Sequence, residues 1–248
     1  MRYVCMHKVS PNSEAELPPP PALVSGMGNL IGELGKEGRM LGGGGLRSSP
    51  HRTRLLSSGG KWTVVPGPFA GRNELPAGLA TIKVRTRDEG IEWCKRYGSA
   101  VGAEQVELGL MTEPWDLGLC PKPADAPLQM MILHMATKAS ETGAPLTSKQ
   151  AADLAQVKAD MVKAGVLTFA ELLQPSSTAV RLRYEGGRRR VADGPFTESK
   201  ELIGGFVMIR FDSRDEVLSF CDRFARIIAE DFELDVRLAL DPPAGRPL

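Results

Sequence analysis

The sequence predicts an α+β protein made of two copies of one module, on the basis of three observations. The chain aligns with itself at a constant offset, each copy has strand-like and helix-like segments in the same order, and two of the strands are apolar on both faces. The composition is that of a globular protein, since 42% of the 248 residues are hydrophobic and 25% are charged.

The internal repeat extends along the whole chain. At an offset of 127 positions, the G-P-F sequence at 67–69 falls on G-P-F at 194–196, and His7 falls on His134. Many different residue types match at this one offset, which indicates a tandem duplication of a single module.

The duplication divides the chain into two modules, residues 1–111 and residues 128–240. Residues 112–127 lie between them and contain four prolines, which cannot continue a helix or a central strand. We therefore interpret this segment as a linker. The tail at 241–248 is rich in Pro and Gly and is expected to be loose.

The second module shows the order of its elements most clearly. An apolar strand at 128–135 is followed by a helix at 148–163, and Gly165 is placed to end that helix. The elements that follow are strands at 166–172, 179–184 and 188–192, a strand at 205–211, a helix that starts at a capping box at 213–216, and a strand at 233–240. The first module has the same pattern, with its first helix at 23–36.

This order, β-α-β-hairpin-β-α-β, is the split βαβ, ferredoxin-like arrangement, in which two helices cover one face of a sheet. The strands at 130–135 and 206–211 are apolar on both faces, so the second face must be covered too. In a tandem repeat, the other module's sheet can cover it. We therefore predict two tandem ferredoxin-like modules that form an intramolecular αβ barrel of the dimeric type, with room for a cavity between the sheets.

Charge and apolar patterning argue against several classes of protein. Lys and Arg total 31 against 30 Asp and Glu, so nucleic acid is not an expected partner. No apolar run approaches the roughly 20 residues of a membrane-spanning helix, and the N-terminus lacks a signal-peptide pattern. The four cysteines form no C-x-x-C pair. We expect a cytoplasmic protein without a metal or another cofactor.

The sequence D-G-P-F-T-E-S-K-E at 193–201, with G-G-F at 204–206 and S-R-D-E at 213–216, resembles the DGPF branch of the YCII-related proteins. The resemblance covers the second module and, more weakly, the first. It implies a dimeric αβ barrel of ferredoxin-like modules. Bacterial members of this family are often encoded near extracytoplasmic-function sigma factors, and some relatives look like small-molecule enzymes that use a His–Asp pair.

The first module departs from the family pattern, because Pro66 stands where the second module has Asp193. The enzyme-like relatives carry their histidine on the first helix, and neither 23–36 nor 148–163 contains one.

Three residues are candidates for acid–base chemistry. His134 ends the first strand of the second module and His7 holds the same place in the first, where an imidazole at the barrel mouth could act as a general acid or base. Asp193 could orient His134 or bind a polar group of a ligand. The alternatives are a hydrogen-bonded histidine at a strand end and an Asx turn at Asp193.

Five residues are candidates for ligand binding. Arg181 and Arg183 belong to a hairpin with five arginines, which suits a carboxylate or phosphate. Phe196, Glu198 and Lys200 lie in the turn that follows. Protection of an edge strand and solvated loop charge are the alternatives.

The sequence thus leaves two functions open. The first is a protein that binds a small, anionic metabolite in a pocket that supports cofactor-independent acid–base chemistry of the lyase or isomerase type. The second is a non-catalytic interaction protein, for example one associated with an extracytoplasmic-function sigma factor. In the second case Met130, Ile132 and Met208 would fill the interior. The chain would act as a monomeric pseudo-dimer or as a homodimer.

Overall fold

The computed structural model describes residues 1–71, 74–196, 199 and 201–240. Glu198, Lys200 and the tail at 241–248 lie outside the described residues.

In the first half the elements are β1 (Arg2–Lys8), α1 (Pro11–Glu14), α2 (Pro21–Lys36), β2 (Met40–Gly45), β3 (Arg52–Ser58), β4 (Lys61–Pro66), β5 (Pro76–Val84), α3 (Arg87–Val101) and β6 (Gln105–Leu110). In the second half they are β7 (Leu128–Met135), α4 (Lys138–Glu141), α5 (Ser148–Lys163), β8 (Leu167–Leu172), β9 (Val180–Glu185), β10 (Arg188–Asp193), β11 (Ile203–Arg210), α6 (Arg214–Ile228) and β12 (Phe232–Leu238).

Local chemistry sets the ends of the helices. The hydroxyl of Thr147 accepts a hydrogen bond from the backbone N–H of Gln150 at the start of α5, and Gly165 follows the helix with a φ of 69°. The predicted helix at 148–163 is therefore confirmed. At α6, Ser213 caps the helix as predicted, but the carboxylate of Glu216 accepts from the amide of the residue before the cap. The four-residue helices α1 and α4 are too short to show a helical period in the sequence.

The strands form two six-stranded antiparallel sheets. Sheet I has the order β10-β9-β12-β1-β11-β2, and sheet II has the order β4-β3-β6-β7-β5-β8. Helices α2 and α6 cover the outer face of sheet I, and α3 and α5 cover that of sheet II. This arrangement confirms the predicted pair of ferredoxin-like units.

The two halves exchange strands between these sheets. Strands β1 and β2 of the first half pair with β11 and β12 of the second half, whereas β7 and β8 pair with β5 and β6. Each sheet therefore has four strands from one half and two from the other. We expected each module to form its own sheet. The apolar pattern permits both arrangements, because β5 and β11 are copies of the same segment and either one offers β1 an equivalent apolar partner.

The sheets pack face to face, as the apolar strands predict. Side chains from both sheets fill the layer between them, among them Val4, Met6, Leu79, Met131, Leu133, Phe206 and Met208. Full burial of each such side chain contributes about 1.5–3 kcal/mol. Met208 lies in this layer as expected, whereas Met130 and Ile132 point the other way and pack in the core under α3 and α5.

The two sheets are not closed into a barrel, which corrects that part of the prediction. They are linked by the isolated bridges Leu46–Met111, just after β2 and β6, and Leu173–Ala239, just after β8 and β12. An apolar layer occupies the place where we expected room for a cavity.

Candidate functional site

The Gly-Pro-Phe turn at 194–196 packs directly on the backbone of a neighbouring 3₁₀ turn. Its Gly194–Pro195 peptide bond is cis, and a Cβ at Gly194 would lie 1.7 Å from the carbonyl oxygen of Ser176. The turn of the first half repeats both features at Gly67. Only glycine fits at this position, which explains why both copies of the module keep it.

A serine and a glutamate anchor each turn. The hydroxyl of Ser176 donates to the carboxylate of Glu141 and accepts from the backbone N–H of Phe196 at 3.0 Å. Ser49 donates to Glu14 in the same way. Both serines are fully buried. These pairs were not predicted from the sequence, although the offset of 127 matches Glu14 with Glu141 and Ser49 with Ser176.

Each turn places its phenylalanine against an arginine. The guanidinium carbon of Arg181 lies 4.3 Å from the ring centre of Phe196, and that of Arg54 lies 4.1 Å from the ring centre of Phe69. Arg181 Nε also donates to Asp235 Oδ1 at 2.7 Å. The structure thus brings together two of the predicted ligand residues, Arg181 and Phe196.

A buried lysine completes this cluster in sheet I. Lys8 Nζ donates to Asp235 Oδ2 at 2.9 Å and to Ser199 Oγ at 2.7 Å. Burial alone would raise the pKa of Asp235, but the charge of Lys8 and the hydrogen bond from Arg181 outweigh it and hold that pKa below its usual value. Since Met135 is the residue equivalent to Lys8, this part of the cluster belongs to one half only.

Sheet II carries a corresponding cluster of buried charges. Arg52 Nη1 lies 3.1 Å from Glu107 Oε1, and Arg54 Nη2 lies 2.7 Å from Glu74 Oε1. The two clusters meet where the backbone N–H of Glu74 donates to the carbonyl of Ser199 at 2.7 Å. The buried ion pairs of sheet I and sheet II therefore lie next to each other at this contact.

His134 lies at the end of β7 on the helix-facing side of sheet II. Its ring covers Gly78, where a Cβ would lie 2.3 Å from His134 Cε1, and its centre is 5.7 Å from the ring centre of Tyr97. Burial lowers the pKa of His134 to about 4. Its Nδ1 has no hydrogen-bond partner among the residues that the structure describes. The imidazole is therefore neutral at pH 7.

His7 has the equivalent position in sheet I. Its ring covers Gly205 and lies 6.1 Å from the ring centre of Phe224. Burial lowers the pKa of His7, and the positive charges of Arg52 and Lys8 lower it further. The hydrogen bond with the Lys8 carbonyl raises this pKa but does not outweigh the other effects.

Asp193 and His134 are in different sheets. Asp193 ends the edge strand β10, is exposed, and forms an ion pair with Arg214. Arg183 is half-exposed and lies 3.1 Å from the carboxylate of Glu233. The predicted acid–base residues are thus not brought together, and each has a different neighbourhood.

A cleft with a volume of about 720 Å³ lies outside the sheets, between the β9–β10 hairpin and α6. Its lining consists of Tyr184, Gly186, Gly187, Arg189, Asp222, Ala225, Arg226, Ala229, Glu230 and Asp231. We name this cavity the hairpin cleft. Arg189 Nη1 donates to Asp222 Oδ2 at 2.7 Å, whereas Arg226 forms no ion pair within the described part of the chain.

Across the described residues, no group of three or more His, Cys, Asp or Glu side chains is arranged to hold a metal ion. Within the same residues, no helix has both the length and the apolar character needed to cross a bilayer.

The fold and its duplicated turns define a tandem ferredoxin-like α+β protein, and comparison with known proteins gives its family. The chain belongs to the YCII-related domain family, whose model matches twice, at residues 1–107 and 128–233. It is similar to a protein of Rhizobium meliloti (strain 1021) that is itself described as uncharacterised, with 38% identity over 96 residues, covering 38% of this chain and 77% of that protein. No solved structure matches the chain.

Proposed function

We propose that this chain is a binding protein for a small charged ligand, and that the ligand occupies the hairpin cleft. The observation that carries the proposal is the location of free space. Buried side chains such as Met131, Leu133 and Met208 fill the layer between the sheets, while the 720 Å³ cleft lies on the outside. Pockets for small molecules typically measure roughly 300–1,000 Å³.

The lining of the cleft supports a ligand that carries both signs of charge. Arg226 supplies a cation without a described ion-pair partner, and Asp222, Glu230 and Asp231 supply carboxylates. Guanidinium groups bind carboxylates through paired hydrogen bonds. A zwitterion such as a free amino acid therefore suits the cleft better than a ligand with a single charge.

Thermal shift and calorimetry with amino acids, plain carboxylic acids and amines of similar size test this proposal. We expect amino acids to raise the melting temperature, and the single-charge compounds to bind about tenfold more weakly because one charge-assisted contact is lost. Arg226→Ala should weaken amino-acid binding by a similar factor. Arg210→Ala, an exposed change on β11, is the matched control. Absence of binding at millimolar concentration, or equal affinity in Arg226→Ala, would contradict the proposal.

A second candidate function is proton transfer by His134 acting without Asp193 and Arg181, since those two residues lie on strands of sheet I and His134 lies on sheet II. It is favoured by a neutral imidazole whose Nδ1 has no described partner, which is the form that a general base requires. Exchange of α-protons of small carboxylic acids in D₂O, followed by NMR, tests it. Exchange that is lost in His134→Gln would support this function, and the absence of any exchange would count against it.

A further inference from the structure

The repeat gives the molecule a second outer cleft, equivalent to the hairpin cleft but on sheet II. It has a volume of about 490 Å³ and lies between the β3–β4 hairpin, α3 and α5. Its lining consists of Gly60, Trp62, Lys95, Arg96, Ser99, Ala100, Lys149, Asp153, Gln156 and Val157. We name it the tryptophan cleft.

The indole of Trp62 is fixed against α3. Its Nε1 donates to Ser99 Oγ at 3.0 Å, and a Cβ at Gly98 would lie 2.9 Å from its Cη2 atom. Because Gly98 has no side chain, the indole lies directly on the helix backbone. Trp62 stays half-buried, so the ring presents an aromatic surface to the cleft.

The charges around this ring are mainly positive. Lys95, Arg96 and Lys149 line the cleft, and Asp153 is the acidic residue among the lining residues. Lys95 pairs with Glu92 and Lys149 pairs with Asp153, but these acids are 69% and 44% exposed. Exposed ion pairs are weak and exchange readily, so both lysines are free to bind an anion instead.

The hairpin cleft lacks this combination. Arg189 stands in the place of Trp62, and Asp222 stands in the place of Lys95. At these two positions the tryptophan cleft has an aromatic and a basic residue, whereas the hairpin cleft has a basic and an acidic residue. The aromatic and basic lining therefore distinguishes the tryptophan cleft from its equivalent in the other copy of the module.

We propose that the tryptophan cleft binds a small aromatic anion, a flat ring that carries a phosphate or carboxylate group. The ring stacks on Trp62, and Lys95 and Lys149 hold the acidic group. This site differs from the hairpin cleft in position and in ligand chemistry, so it goes beyond the proposed function.

Calorimetry with AMP, benzoate, adenosine and inorganic phosphate tests the proposal on the full chain. We expect AMP or benzoate to bind, and adenosine and phosphate to bind about tenfold or more weakly, because each lacks one of the two contacts. The first two ligands distinguish a phosphate from a carboxylate. Failure of both AMP and benzoate at millimolar concentration would overturn the proposal, as would inorganic phosphate binding as tightly as AMP.

Variants locate the site. The double change Lys95→Gln/Lys149→Gln should weaken binding about tenfold or more, and Trp62→Phe should weaken it less. Lys36→Gln/Lys163→Gln removes the same charge from exposed helix ends and should leave binding unchanged. Arg226→Ala should also leave it unchanged, which separates this site from the hairpin cleft. Equal affinity in the Lys95→Gln/Lys149→Gln variant would refute the assignment.

Discussion

At the residue scale, the buried imidazole of His134 makes stability depend on pH. Its pKa of about 4 in the folded chain lies below the ordinary value of 6.5, so the unfolded chain binds the proton first. The stabilisation is complete above pH 6.5 and is lost as the pH falls from 6.5 towards 4. His7 shifts in the same direction and adds to the effect.

We therefore expect the titration of His134 to lower the free energy of unfolding by about 2 kcal/mol between pH 7 and pH 5. Urea unfolding at several pH values measures it. His134→Gln removes the titrating group, so the variant should lose less stability over this interval than the wild type. An identical pH dependence in both proteins would show that His134 is not held neutral by the fold.

A second prediction concerns the buried ion pair of Lys8 with Asp235. Lys8→Met copies the residue that the repeat has at position 135, but it leaves Asp235 with Arg181 as its remaining cationic partner in the cluster. We expect a loss of about 2–4 kcal/mol in the free energy of unfolding, because removal of Lys8 leaves the buried carboxylate of Asp235 with less compensating positive charge. Lys149→Met, at an exposed pair, should change stability by less than about 1 kcal/mol. Similar small effects of both substitutions would mean that the Lys8 pair is solvated.

At the element scale, the Gly-Pro-Phe turns depend on contact between backbones. Gly194→Ala would place a methyl group 1.7 Å from the Ser176 oxygen, so the turn must move away from its anchor. We expect a loss of about 3 kcal/mol or more in stability, since neither backbone can yield easily. Gly28→Ala lies in α2 with open space around the new carbon and should stabilise the protein by about 0.5–1 kcal/mol. Chemical denaturation of both variants gives the comparison.

The elements also show how far a sequence can predict this structure. The helix at 148–163 was predicted correctly, because its apolar spacing and its stop at Gly165 are local signals. The pairing of Ser176 with Glu141 was missed, because the two residues are 35 positions apart and neither lies in a periodic segment. His134 and Asp193 were predicted to act together because of the chemistry of their side chains. They lie in different sheets because of the strand order, which local sequence patterns do not encode.

At the scale of the whole molecule, the strand exchange predicts how the halves behave when the chain is cut. A specific protease site inserted between Gly118 and Leu119, in the exposed linker, would separate the two halves of the sequence. We expect the cleaved protein to elute from a size-exclusion column as one species of unchanged size, because each sheet contains strands from both halves. In denaturing urea the two fragments should separate. Dissociation of the fragments under native conditions would contradict the strand pairing.

Sequence alone could not choose between this exchange and two self-contained modules. The first strand can pair with β5 or β11, and residues such as Ile82 and Ile209 occupy equivalent places in the two candidates. The apolar pattern is satisfied either way, so the outcome depends on the length and direction of the connections.

The exchange of leading strands also bears on how the protein assembles. A chain with one copy of the module could complete these sheets only by meeting a second chain, and its yield of native protein would depend on how much of it a cell makes. Joining the copies end to end keeps the partner at an effective concentration in the millimolar range. Native protein then forms by a first-order process, even when the cell makes few copies.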